Sequence, residues 1–390
     1  NKKLKLGLSV SDLQILQKKT EGWIAGLQLT ALSIKGQENI STFLEKMAGD
    51  NRYIMDYLFE EVLERQTKEE RNFLLRTSIL NRFNAELCNA MLGIGNSHEI
   101  IEGLERNNMF IIPLDNERNW FRYHHLFASL LQQRLALRFK AELPELHERA
   151  SQWYERSDQL VFALEHALEA GNKEKAIGHF AAVINDLFES SKYMTILQFG
   201  AMFSHDEIVK NVGLSLNYFW ILYQSGNMEQ AESLILKLKE QATDKALLSM
   251  IHICINNLKV AIGDIGSAYS FEELAIGDIK EEAEYWSIFA YLSQAEMHLL
   301  RFELKESIQA YNNAVKFASS RPDFLYFEMI CRGRSTFVQW IMGDYAGAHK
   351  ERTVLLDRFN AAASEKGPGI EVLSSIVSCL DGHVLINTDH

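Results

Sequence analysis

Proline is almost missing from this chain, with four residues in 390. Proline removes a backbone donor and kinks helices, so its scarcity leaves room for long helices throughout. Cysteine is as rare, and Cys88, Cys254, Cys331 and Cys379 stand far apart with no CxxC pair. That spacing excludes a zinc ribbon or a disulfide framework, so no metal is expected and a reducing cytoplasm is the expected setting. No uninterrupted apolar run is long enough to cross a bilayer, and no membrane partner is expected. No basic-then-apolar leader is visible, so a secretory signal is not expected. The first residue is Asn1, and a helical pattern follows almost at once, as expected for a piece of a longer protein.

Excess positive charge is lacking too. The formal net charge is -12. Gripping a nucleic acid backbone requires Lys and Arg to neutralise phosphates, which this balance does not supply. No GxxxxGK followed by Ser or Thr occurs, so the usual phosphate cradle is missing. Gly93 and Gly95 are too isolated for a dinucleotide fingerprint, and there is no HExxH. Acidic pairs such as Glu60-Glu61 and Glu69-Glu70 fall on helical patterns as solvated faces or caps. Histidines 147, 166, 179, 252, 298 and 349 are spread over separate helical patterns, where structural polar roles are expected. No catalytic residue emerges, and the chain is not expected to be an enzyme.

What is present is organised around residues 108–135. An alternating apolar run from Met109 to Leu114 breaks at Asp115-Asn116-Glu117-Arg118-Asn119 and resumes as Trp120-Phe121-Arg122-Tyr123, a hairpin signal. His124 and His125 follow, then a helical pattern with Leu126, Leu130, Leu131 and Leu135 on one face. Two imidazoles at a helix start sit where unpaired N–H groups attract anions, phosphate included. The blander alternative is that one packs under the hairpin and the other is exposed.

Upstream, helical patterns cover Tyr53 to Arg65, Glu69 to Leu80 behind a Thr67–Glu70 capping box, Asn84 to Leu92, and His98 to Arg106. Short helices, a two-stranded wing and a further helix describe a winged helix. Its wing charges are balanced, which favours an internal nucleotide-sensing role over DNA reading. Earlier still, Glu21 to Leu29 reads EGWIAGLQL, whose glycines permit close approach either of another helix or of a ligand.

From Leu137 onward strand signals vanish and a phrase recurs. Gly171-Asn172-Lys173-Glu174-Lys175-Ala176 returns at Gly226–Ala231, Gly263–Ala268 and Gly343–Ala348, with a degraded copy at Phe302–Ser307. Gly closes one helix, Asn or Asp caps the next, and a small residue lets the pair pack closely. This matches the inter-helix turn of tetratricopeptide repeats, at a longer period. The predicted fold class is therefore mostly α: a winged helix with a short β-hairpin, followed by an α-solenoid of tetratricopeptide-like pairs. Aromatic clusters at Tyr218–Tyr223, Tyr285–Tyr291 and Phe324–Trp340 are expected mainly in the interhelical core, with a minority lining a face where a small ligand or peptide could bind.

TEGWIAGLQLTALS, AGDNRYIMDYLFEEVL, FLLRTSIL and FRYHHLFASLLQQRL, in this order, resemble the large ATP-binding LuxR-type (MalT-like) transcription regulators of the STAND class. The resemblance is strongest over residues 8–135 and looser through the repeats. It implies residues 1–48 as the end of the helical domain of a nucleotide switch, 49–136 as the winged helix, 137–210 as a helical arm, and 211–390 as the sensor. It implies ATP or ADP as cofactor of the full-length protein, with none in this segment. A small-molecule inducer or regulatory protein on the repeats and self-association on activation are implied, and DNA binding only through a C-terminal domain that this chain lacks. Gly26 and Gln28 fall where such switches border adenine, with Gln28 replacing the usual proline. His124 or His125 resembles the histidine that senses the nucleotide phosphates. The alternative is a free-standing tetratricopeptide-like adaptor for peptides or proteins.

Overall fold

The computed structural model describes residues 58–364, apart from 108, 191, 265, 267–277, 279–282 and 321–323, together with isolated positions among residues 9–17. The EGWIAGLQL segment with Gly26 and Gln28, and Tyr53–Tyr57 of the Tyr53–Arg65 pattern, lie outside the described residues. The chain divides into two compact units, Asn1–Ala176 and Ile177–His390.

In the first unit, a single π-helical turn, Leu58–Leu63, precedes α1 (Lys68–Thr77). The capping box forms as expected: the Thr67 hydroxyl accepts the Glu70 N–H, and the Glu70 carboxylate accepts the Thr67 N–H. The helix α2 (Ala85–Leu92) starts on Asn84, whose side chain accepts the Leu87 N–H at 2.8 Å, and ends on Gly93 in the left-handed conformation. The third helix, α3 (Ser97–Arg106), leads into β1 (Ile111–Pro113), which pairs antiparallel with β2 (Phe121–Tyr123), Ile111 opposite Tyr123 and Pro113 opposite Phe121. The wing turn is fastened by Asp115, whose carboxylate accepts the N–H groups of Asn119 and Trp120, each at 2.9 Å. Phe83 extends this sheet: it and Phe121 exchange both backbone hydrogen bonds, at 2.8 and 2.9 Å. A single bridging residue between two helices carries no periodicity, so the sequence gives no sign of it.

After the wing comes α4 (His125–Arg138), whose Leu126, Leu130, Leu131 and Leu135 are all buried, as the spacing predicts. Two further helices, α5 (Leu143–Arg156) and α6 (Leu160–Glu169), follow. The core is continuous from Phe73, Phe83 and Phe127 through Tyr154 to Ala163. The winged helix is thus packed together with the two helices that follow it, and the compact unit reaches Ala176.

The boundary between the units falls within α7 (Lys173–Glu189). Beyond it lie α8 (Tyr193–Gly200), α9 (His205–Ile208), α10 (Val212–Gln224), α11 (Met228–Gln241) and α12 (Lys245–Ala261). Then come α13 (Ala283–Leu300), α14 (Leu304–Ala318), α15 (Leu325–Ile341) and α16 (Tyr345–Ser364). From α10 onward each helix packs on the next, the nearest-neighbour pattern of a solenoid. No strand occurs after Tyr123 among the described residues. In the last pair, the buried Glu328 carboxylate takes Arg332 at 2.9 Å and Arg358 at 3.0 Å, fixing α15 to α16.

The recurring phrase has one backbone form. Gly171, Gly226, Gly263 and Gly343 have φ of 76°, 78°, 80° and 77°. The N–H that follows each reaches back five residues, as in Asn227 to the Leu222 carbonyl at 2.9 Å and Asp344 to the Gln339 carbonyl at 3.0 Å. This is the 6→1 bond of a Schellman cap. Five residues after the glycine, Ala176, Ala231 and Ala348 are buried, while Ala268 lies outside the described residues. The degraded copy keeps the form with the wrong residue: Phe302 sits at φ 60°, the Glu303 N–H reaches the His298 carbonyl at 2.9 Å, and Ser307 is buried. A further copy, unread in the sequence, joins α5 to α6, where Asp158 has φ 55°, Gln159 bonds back to Tyr154 at 2.9 Å, and Ala163 is buried.

A left-handed backbone costs a non-glycine residue about 1–2 kcal/mol, partly offset by the ~0.5–1 kcal/mol of extra chain entropy that glycine loses on folding. Phe302 is 84% exposed, so its removal sacrifices little packing. Phe302→Gly is therefore expected to raise stability by about 0.5–1 kcal/mol, and Gly226→Ala to lower it by about 1 kcal/mol, both read from urea denaturation midpoints.

Candidate functional site

The two wing histidines are held together. The His124 backbone N–H donates to the Phe110 carbonyl at 2.7 Å, which sets where the chain leaves β2. Phe110 itself has φ 57° and lays its ring edge-on to His124 at 6.2 Å. His124 is buried and caps α4, its Nδ1 accepting the Leu126 N–H at 3.3 Å. An accepting Nδ1 places the proton of the neutral ring on Nε2. His125, the first residue of α4, is half-buried and stacks on His124 with ring centroids 4.7 Å apart. Below them, Thr77 and Tyr123 share a hydrogen bond of 2.6 Å that ties β2 to α1, and burial raises the Tyr123 pKa well above the ordinary value. The predicted pair therefore sits at one helix start on a rigid support. Its companions Gly26 and Gln28 lie outside the described residues.

The same unit carries acidic and paired side chains on α3 and the wing. The exposed face of α3 carries Glu99 and Glu102. On the wing, Arg118 pairs with Glu105 at 3.0 Å and Asp115 is occupied by backbone N–H groups.

A second pair of imidazoles was not apparent in the sequence. His147 on α5 and His166 on α6 meet at 2.9 Å between their Nδ1 atoms, and the His166 ring stacks on Tyr154. They lie on two helices joined by the unread turn at Asp158, which is why separate helical patterns hid them. No group of three or more metal-ligating side chains occurs among the described residues. The thiols of Cys88, Cys254 and Cys331 are buried, and burial pushes Cys331 to about 12.

The second unit holds a cavity of about 630 Å³ among α8, α10, α12, α13 and α15. Its walls include Trp220, Tyr223, Phe289 and Phe327, drawn from each of the three aromatic clusters seen in the sequence. Trp220 and Phe289 stack with centroids 4.1 Å apart, and Phe327 meets Phe289 edge-on at 5.0 Å. Glu296 and Arg334 line it as an ion pair, and Glu296 also accepts the hydroxyl of the fully buried Tyr311 at 2.6 Å. Aromatic walls with few polar groups and this volume are the usual features of a small-molecule site.

A three-helix winged module and a unit of stacked helix pairs are a winged helix and an α-solenoid of tetratricopeptide-like form. Residues 59–143 match the model of the MalT winged helix domain. Over 329 residues the chain is 29% identical to the HTH-type transcriptional regulator MalT of Yersinia pestis (strain Pestoides F), covering 82% of this chain and 36% of that protein. Over 215 residues it is 34% identical to the serine/threonine-protein kinase PknK of Mycobacterium tuberculosis (strain ATCC 25618 / H37Rv), covering 55% of this chain and 19% of that one. The chain thus spans about a fifth to a third of the length of these curated relatives. A crystal structure of a STAND protein with a tetratricopeptide repeat sensor from Pyrococcus horikoshii superposes with a TM-score of 0.52 at 15% identity, covering 99% of this chain and 56% of that one. That likeness concerns the fold. The chain is thus similar to the MalT winged helix domain over residues 59–143 and to a stretch of MalT over most of its length.

Burial lowers the pKa of His166 to about 4, with the His147 charge adding to the effect, and burial lowers His147 as well. Below the ordinary value of 6.5 the unfolded chain takes up protons that the folded chain refuses. Stability is therefore expected to be full above about pH 6.5 and to fall as pH drops toward 4. His166→Phe keeps a ring against Tyr154 and should flatten this part of the curve, measured as urea midpoints from pH 7.5 to 4.5.

Proposed function

We propose that the chain is the relay and sensor region of a signal-responsive bacterial regulator that works in the cytoplasm. The observation that carries this reading is the succession of a MalT-type winged helix and a helical-repeat unit with its own cavity, in one alignment that covers most of the chain. An inducer or regulatory partner occupies the repeat unit. It acts only through different affinities for the resting and active forms of the whole protein. In that protein, ADP or ATP is held by a switch domain whose phosphate cradle this sequence lacks, and the His124–His125 pair reads the nucleotide phosphates. Activation leads to self-association, and DNA is reached through a separate C-terminal domain. The chain itself hydrolyses nothing.

The similarity to a part of a serine/threonine-protein kinase supports a second output. The shared segment would then be a sensor module that serves different effector domains. The full gene separates these readings, because a helix-turn-helix, a kinase domain or neither must flank the segment. A gene coding for nothing else would favour the free-standing adaptor.

The histidine role has its own test in the full-length regulator. His125→Ala, and His124→Asn to retain a capping side chain, are expected to speed ADP release about tenfold, the loss of one charged hydrogen bond of ~1.5 kcal/mol. Basal activity should rise in step. Unchanged ADP retention in both variants, with melting temperatures intact, would reject the phosphate-sensing role.

A further inference from the structure

The cavity in the repeat unit has an uneven chemistry. Its walls are aromatic, formed by the Trp220–Phe289 stack with Phe327 set edge-on to it. Such faces hold a flat or compact apolar group. The charged groups lining the cavity are Glu296 and Arg334. One oxygen of Glu296 is engaged, its Oε1 accepting from both the Tyr311 hydroxyl and the Arg334 guanidinium. Only one guanidinium nitrogen of Arg334 is engaged in this way, and the side chain stays 56% exposed. A guanidinium has five N–H donors arranged to receive a carboxylate. The buried indole N–H of Trp220 has no acceptor among the described residues. Asn257 turns its amide donor away, to the Ile253 carbonyl at 2.9 Å. The cavity therefore has one anchored cation with unengaged donors, and one oxygen of its carboxylate is already occupied.

We propose that this cavity binds a small aromatic monocarboxylate, with its ring against Trp220 and Phe289 and its carboxylate on the open side of Arg334. This rests on the reading of the repeat unit as a sensor and adds the chemical class of what it senses. A cationic ligand would have to compete with Arg334 for Glu296. A dianion would find a single guanidinium to neutralise it.

The test uses the 390-residue chain with phenylacetate, its neutral isostere phenylacetamide and its cationic counterpart phenethylamine, by isothermal titration. Phenylacetate is expected to bind at least tenfold more tightly than either. Arg334→Gln should erase the preference for acid over amide, and Arg334→Lys should restore part of it. Phe289→Ala should weaken acid and amide alike, provided the melting curve stays cooperative. Equal binding of acid and amide, stronger binding of the amine, or no binding of any of the three overturns the ligand class. A separate arm addresses the sensor reading. In the full-length regulator, Leu292→Trp fills the cavity whatever its ligand, and should abolish activation by the native signal. Normal activation in that variant would sink the sensor reading, whereas loss of activation beside a failed acid preference would sink only the ligand class.

Discussion

Each helix pair of the second unit depends on one backbone event. A residue after the first helix must take a left-handed conformation so that the next N–H can reach back five residues. The chain then reverses within a few residues and buries a small side chain, at Ala231, Ser307 and Ala348. A larger side chain at that buried point would hold the two helices apart. The turn and the small residue are thus one device. Without it, a pair is poorly placed to present its apolar face to the next pair, a contact that adds to the stability of each repeat in a solenoid. Phe302 shows that the conformation outlives the glycine that best suits it, because the packing of α13 on α14 imposes it.

Polar groups in both units are mostly satisfied locally, and this shapes what each can do. The wing spends Asp115 and Arg118 on its own turn and on Glu105. The last helix pair spends a buried glutamate on two arginines. His124 and His125 stack at the start of a helix, where anions are favoured. Arg334 faces an aromatic cavity with most of its donors to spare.

Much of the winged helix was legible from residue pattern. Thr67 and Glu70, Asn84, Gly93 and the Asp115 turn each set a local boundary, and each boundary is observed. Local chemistry fixes such features because both partners lie within a few residues of each other. Phe83 was not legible, since its pairing with Phe121 is a contact between distant segments. Nor was the turn at Asp158, where the sequence carries neither the glycine nor the following Asn or Asp, and only the buried Ala163 keeps the phrase.

The sequence by itself determined the order of modules, the caps, the repeating turn and the place of the two wing histidines, since all of these follow from short-range spacing and backbone preference. Tertiary structure alone decided which aromatics became walls. Trp220, Phe289 and Phe327 belong to clusters that look alike in the sequence, yet these three converge on one cavity beside Glu296 and Arg334. It also brought His147 to His166 and extended the first core to Ala163. The physical reason is common to all three. Helical periodicity says which face of a helix is apolar, whereas the partner that meets this face is chosen by the packing of several helices at once.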